Sequence, residues 1–347
     1  MRFLLIFLCT IILLSCETNP AKEFTTVSIE RVYTDSLSIR AIAPMDKNRV
    51  WFAANNGRIG LIDGAIPKLT NIKYEESLLN FRSIAATNEA VFVLSIENPG
   101  VLYKIGFKNN DASNIEIVYV ERGDKVFYDA IAFWDDKEGI ALGDPTSGCL
   151  SIIITRDGGN NWNKLSCDIL PSIENGEAAF AASNSNIALY NNHVWIVTGG
   201  KKARVFHSED RGMNWEVFET PIVQGKAMTG IYSIDFLDDK TGVIFGGDWE
   251  QKDYNEGNKA MTHDGGKTWN LISNGKKPGY RSSVRFTPGS EGKGIVAVGS
   301  PGISYSNDSG ESWLQLSDEG FYAIEFVNDT VAFASGRNKI SKLIFKE

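Results

Sequence analysis

The octet TRDGGNNW at residues 155–162 decides how this chain is read, because it returns as SEDRGMNW (208–215), THDGGKTW (262–269) and SNDSGESW (306–313). All four match Ser/Thr-x-Asp-x-Gly-x-x-Trp, and their aspartates, Asp157, Asp210, Asp264 and Asp308, stand 53, 54 and 44 residues apart. Each position has a use in a turn between antiparallel strands. The carboxylate accepts hydrogen bonds from turn amides, and the glycine (Gly159, Gly212, Gly266, Gly310) supplies a positive φ. The tryptophan (Trp162, Trp215, Trp269, Trp313) lays its indole on the neighbouring sheet. Self-similarity at roughly 40 to 50 residues marks a stacked or radial repeat rather than an ordinary layered domain.

Between the octets a second pattern recurs. YDAIAFWDDKEGIALGD (128–144) and YSIDFLDDKTGVIFGGD (232–248) are near copies of an apolar strand, a DDKxG turn and a second apolar strand. Looser copies run over 38–54, 81–95, 178–200, 281–300 and 321–336, which makes seven units. The 324 residues from Phe24 to Glu347 divide into seven segments of about 46, close to the octet spacing. The expectation is an all-β fold, a single seven-bladed β-propeller over 25–347 with these octets as its turns. KISKLIF (339–345) ends the last unit as a third strand with no fourth, while TTVSIERVY (25–33) is an orphan strand. The N-terminal strand is therefore expected to close the last blade, which removes exposed sheet edges.

Ahead of the repeats, Arg2 precedes an apolar run from Phe3 to Leu14, shorter than the roughly 20 residues of a membrane span but suited to a signal-peptide core. Its end, Leu13-Leu14-Ser15-Cys16, resembles the bacterial lipobox. That resemblance implies a signal peptide over 1–15, lipidation at Cys16, a tether over 16–24, and a home in the cell envelope, at the outer membrane or cell surface rather than the cytoplasm.

A net charge of -8 denies phosphate backbones an attractive field, so nucleic acid is not an expected partner. The four cysteines form no CxxC or zinc spacing, and no GxGxxG follows a strand, so no cofactor is expected. No metal is expected either, because His193, His207 and His263 are read as falling in separate blades. Cys149 and Cys167 sit symmetrically about Gly158, and two readings stay open: a cross-strand disulfide, or two thiols turned apart by a one-residue slip.

Aligning the units places Arg40, Arg82, Asp129, Tyr232 and Tyr322 at equivalent starts of inner strands, with Tyr128, Glu177 and Arg281 one step earlier. Asp144 and Asp248 end second strands beside the same rim, next to the acidic loop DWEQKDYNEGN (248–258), which lacks EF-hand spacing. These residues are the candidate ligand or partner site, against the alternative of ordinary solvated loop ends.

The octets resemble the Asp-box, or BNR, repeats of sialidase-like propellers, in which the boxes lie away from the active site; this implies a structural role for them. The longer pattern F-x-D-x-x-x-G-apolar-x-apolar-G followed by T-x-D-G-G-x-T-W, best kept in Phe236 to Trp269, resembles the photosystem II assembly and stability factor propellers over most of 128–345. This second likeness implies a non-enzymatic propeller that docks onto other proteins. Two functions are thus in view. One is a membrane-anchored scaffold for an envelope protein or glycan. The other is a sialidase-like glycoside hydrolase, for which Arg40, Arg82 and Arg281, Tyr128 or Tyr232, Glu177 and Asp129 supply the residue types. A deep channel mouth with converging arginines favours the second, a flat face the first.

Overall fold

The computed structural model describes residues 22–64, 66–108 and 111–347; the expected signal peptide over 1–15 and the expected lipidation site Cys16 lie outside the described residues. Every regular element among these is a β-strand, and no helix is long and apolar enough to cross a membrane. The second half of Thr26–Pro44 and the strands Phe81–Ala86, Tyr128–Phe133, Ile187–Tyr190, Thr229–Phe236, Ser283–Phe286 and Ala323–Phe326 touch one another in a ring about a central axis. From each, antiparallel neighbours run outward, as in a propeller.

The expected count of seven blades is corrected to six. The inner strands belong to six sheets of four or more strands, two of them six-stranded. The cause lies in TVSIERVYTDSLSIRAIAP, which has no glycine, and no proline before Pro44, to stop a ladder. This strand runs unbroken over Thr26–Pro44. Its first half pairs with Val331–Lys346 from Thr26↔Lys346 to Ser38↔Arg337, and its second half pairs with Arg49–Ala54 from Ile39↔Ala54 to Pro44↔Val50. Register shifts at Thr34/Ser38 and Ile39/Ala41 let it bend from one partner to the other. The first and last repeat units thereby share one sheet, and the two ends of the chain are joined in it.

The octets form the turns expected of them. Oδ1 of Asp210 accepts the amides of Met213 and Asn214 at 2.9 Å, and the Ser208 hydroxyl accepts the Gly212 amide at 2.8 Å. The Trp215 indole N–H donates to Gly212 O at 3.0 Å. These turns also fasten neighbouring blades. Gly265 O, in the next octet, accepts the indole N–H of fully buried Trp195 at 2.8 Å, and Trp195 lies flat on Phe236 with ring centroids 3.6 Å apart. Gly266 has a φ of +89°, and a Cβ there would stand 3.2 Å from the Trp195 ring, so this corner wants glycine twice over.

Cys149 and Cys167 are joined in a disulfide with Cα atoms 5.5 Å apart. Adjacent pairs run Ile153↔Lys164 and Ile154↔Asn163, one residue away from mirror symmetry about Gly158. The cysteines escape that offset because they lie just beyond the paired strands Ser151–Thr155 and Asn163–Lys164, where the chains are free to turn.

Candidate functional site

One end of the channel is crossed by the turn at 181–186, a feature absent from the sequence reading. Asn184, at a φ of +59°, donates from Nδ2 to Ile84 O at 2.9 Å and accepts the Ile131 amide at 2.9 Å. Ser183 donates to Ser282 O at 2.6 Å, and Ala182 O accepts Nη1 of Arg40 at 3.2 Å. Those partners lie on, or one residue before, the inner strands of four different sheets, which only a segment lying across the axis can reach at once. The backbone of the protein itself therefore fills the space that a deep axial pocket would need.

Over this turn stand Arg40, Arg82, Asp129 and Tyr322. The Arg40 guanidinium lies 4.2 Å from the centroid of the Tyr322 ring, a cation–π contact, and its Nε is buried without a partner. Arg82 donates no hydrogen bond and closes no ion pair among the described residues. Burial and then the like charge of Arg40 push its pKa down, while Glu97 and Asp129 act in the opposite sense. Asp129 is fully buried and its carboxyl oxygens have no hydrogen-bond partner; the Ala181 amide leans toward it without closing a bond of normal geometry. Burial, reinforced by nearby Asp144, holds Asp129 well above the usual carboxylate range. Burial likewise pushes Asp144 up to about 6, although the Ala179 amide donates to it at 2.9 Å. Asp129 closes no ion pair with Arg82 among the described residues. The mouth thus holds two adjacent guanidinium groups without a carboxylate locked to either, an arrangement that attracts an anion such as a peptide carboxylate.

Arg281 stands apart from this pair. It turns outward to Ser304 Oγ at 2.8 Å and Gln315 Oε1 at 3.1 Å, and burial pushes it down to about 10. It lines a separate cavity of about 300 Å³ with Lys252, Lys277, Trp313 and Asp318. Three arginines do not converge here as a sialidase carboxylate site needs.

The remaining candidates serve the framework. Glu177 is buried in an ion pair with Arg204, whose Nε donates to Oε1 at 3.0 Å and whose Nη2 donates to Oε2 at 2.6 Å, and Thr198 also donates to Oε1 at 2.6 Å. Tyr128 packs between sheets and donates to Glu121 at 2.6 Å. Tyr232 stacks on Phe180 with centroids 4.0 Å apart and donates to Met228 O at 3.0 Å. Asp248 accepts the amides of Glu250 and Gln251 at 2.9 and 3.1 Å, capping the start of its loop, where Trp249 and Tyr254 are exposed. One expectation about histidine is corrected: His193 and His207 lie on paired strands of a single sheet, not in separate blades.

The comparisons agree with this architecture. Residues 108–222, about a third of the chain, match the family described as photosynthesis system II assembly factor YCF48. Among solved structures, YCF48 bound to a D1 peptide superimposes with a TM-score of 0.67 at 14% identity, covering 94% of this chain and 99% of that one. YCF48 from Cyanidioschyzon merolae gives 0.61 at 13%, covering 92% and 98%. The WD40 β-propeller domain of Doa1 gives 0.59 at 10%, covering 93% and 98%. No protein with curated annotation matches in sequence. This chain is a BNR-type β-propeller, similar in fold to the YCF48 propellers and similar in sequence to their family across residues 108–222.

Proposed function

We propose that this propeller is a membrane-tethered docking module that receives an acidic or carboxylate-bearing segment of another envelope protein at the channel mouth. One observation carries the reading: Arg40 and Arg82 stand side by side, half-buried, with no carboxylate paired to either. Holding two like charges together in a partly desolvated place costs free energy, which an incoming carboxylate returns. The likeness to a YCF48 propeller bound to a D1 peptide supports a peptide as the ligand class. The tether rests on the lipobox-like Leu13-Leu14-Ser15-Cys16, which places the anchor six residues before Lys22.

Crosslinking in intact cells followed by affinity recovery and mass spectrometry tests the site. Wild type should yield a reproducible partner that is lost with Arg40→Gln/Arg82→Gln and kept with Arg122→Gln, a surface arginine paired with Glu75 at 2.8 Å. Equal recovery from all three refutes the docking site. Cys16→Ser should separately move the protein out of the membrane fraction.

A further inference from the structure

On the sheet built from Ile187–Tyr190, His193–Val197, Arg204–Ser208 and Glu216–Glu219, the pairing runs Trp195↔His207 and Val194↔Ser208. Continuing that register by one step sets His193 opposite Glu209. Glu209 lies one residue past the end of Arg204–Ser208, two positions from His207, so continued alternation turns it to the same side as His207. The result is a cluster in which a ring nitrogen of His193, a ring nitrogen of His207 and a carboxylate oxygen of Glu209 all lie within 4.8 Å of one another. His193 Nδ1 and His207 Nε2 face each other at 3.0 Å, with the rings tilted by 11°.

We propose that His193, His207 and Glu209 bind a divalent transition-metal ion of the zinc class. Two nitrogens 3.0 Å apart can both contact one ion at the usual zinc–nitrogen length of about 2.0–2.1 Å. Glu209 adds the harder oxygen ligand and leaves an open position toward solvent. Two imidazoles with one carboxylate suit zinc, nickel or copper rather than calcium or magnesium.

His207 is buried, and its Nδ1 has no hydrogen-bond partner. A neutral hydrogen-bonded pair keeps one proton between the facing nitrogens. If His207 carries it, that proton must move to Nδ1, which is buried without a partner, before both facing lone pairs are free, a cost that the two metal–nitrogen bonds must offset. Trp195 stacks on His207 at a centroid distance of 4.9 Å and on His193 at 5.2 Å, which holds both rings in place before metal arrives. Lys267, 3.8 Å from Glu209, competes for the carboxylate and moderates the affinity.

The test uses the untagged full chain, stripped with chelator and titrated with Zn²⁺ by calorimetry, then with Co²⁺ followed by its visible absorption. Expected are one ion per chain and an affinity at least tenfold lower in His193→Ala, a half-exposed position that leaves the fold intact by circular dichroism. Lys267→Ala should bind more tightly, and His263→Ala, which alters the exposed histidine outside the cluster, should bind as wild type. No stoichiometric binding, or unchanged affinity in His193→Ala, overturns the site.

Discussion

Replacing Arg204 with methionine keeps its bulk and removes its charge, leaving Glu177 with a side-chain exposure of 0% and no cation beside it. The loss covers three charge-assisted contacts to Glu177, between 2.6 and 3.1 Å, and one from Nη2 to Ser172 O at 2.9 Å. Breaking a buried pair from one side costs about 3–5 kcal/mol, because the stranded carboxylate must be desolvated without compensation or must take up a proton. At an unfolding entropy of about 2.1 cal/mol/K per residue, a chain of this length loses about 5.5 °C of Tm for 4 kcal/mol. The assay is thermal unfolding followed by circular dichroism, run on Arg204→Met, Glu177→Leu and the double variant. The double variant should recover most of the loss, since it strands no charge. A fall of less than about 2 °C in Arg204→Met, or a double variant as damaged as the two singles added, would falsify the reasoning.

Three further outcomes follow from the same geometry. Cys149→Ser/Cys167→Ser opens a loop with a sequence separation of 18, and the chain-entropy relation puts the loss at about 3 kcal/mol, read as a lower urea midpoint; an unchanged midpoint shows that the bond does not constrain the unfolded chain. Asn184→Gly keeps the left-handed backbone but abandons Ile84 O and the Ile131 amide, so it should cost about 2–3 kcal/mol, and a neutral result removes the turn at 181–186 as a plug. Asp144 holds its proton more tightly folded than unfolded, so its contribution to stability is greatest below about pH 4 and is lost as pH rises through about 6; Asp129, raised by the same burial, acts in the same sense. Urea midpoints should therefore fall between pH 5 and 7.5 in wild type and fall less in Asp144→Asn; identical slopes contradict the assignment.

What could be read from the residues alone was local. An octet carries its Asp, Gly and Trp within eight positions, so the turns and their spacing were plain, and aligning the units placed Arg40, Arg82, Asp129 and Tyr322 at the same level of the inner ring. What escaped depends on contacts distant in sequence. The pairing of TTVSIERVY with KISKLIF was foreseen, but not that the same strand runs on unbroken to pair with Arg49–Ala54 and so merges the first and last units into one sheet. Glu177 read as a ligand residue because its partner Arg204 lies 27 positions on, in no recognisable motif. The plug at 181–186 looked like part of a loose strand repeat, although AASNSN is rich in small polar residues suited to a turn. His193 and His207 meet only because the register sets Trp195 against His207.

The central claim is that the arginine pair at the channel mouth holds a carboxylate. Its most direct test is fluorescence anisotropy with labelled peptides from the crosslinked partner, each made with a free and an amidated C-terminus and with acidic residues replaced by amides. Binding should weaken at least tenfold on removal of the recognised carboxylate and on Arg40→Gln/Arg82→Gln, with no additional loss when the two are combined. Equal affinity of wild type and the arginine variant for the same peptide, at low and physiological salt alike, would contradict the account.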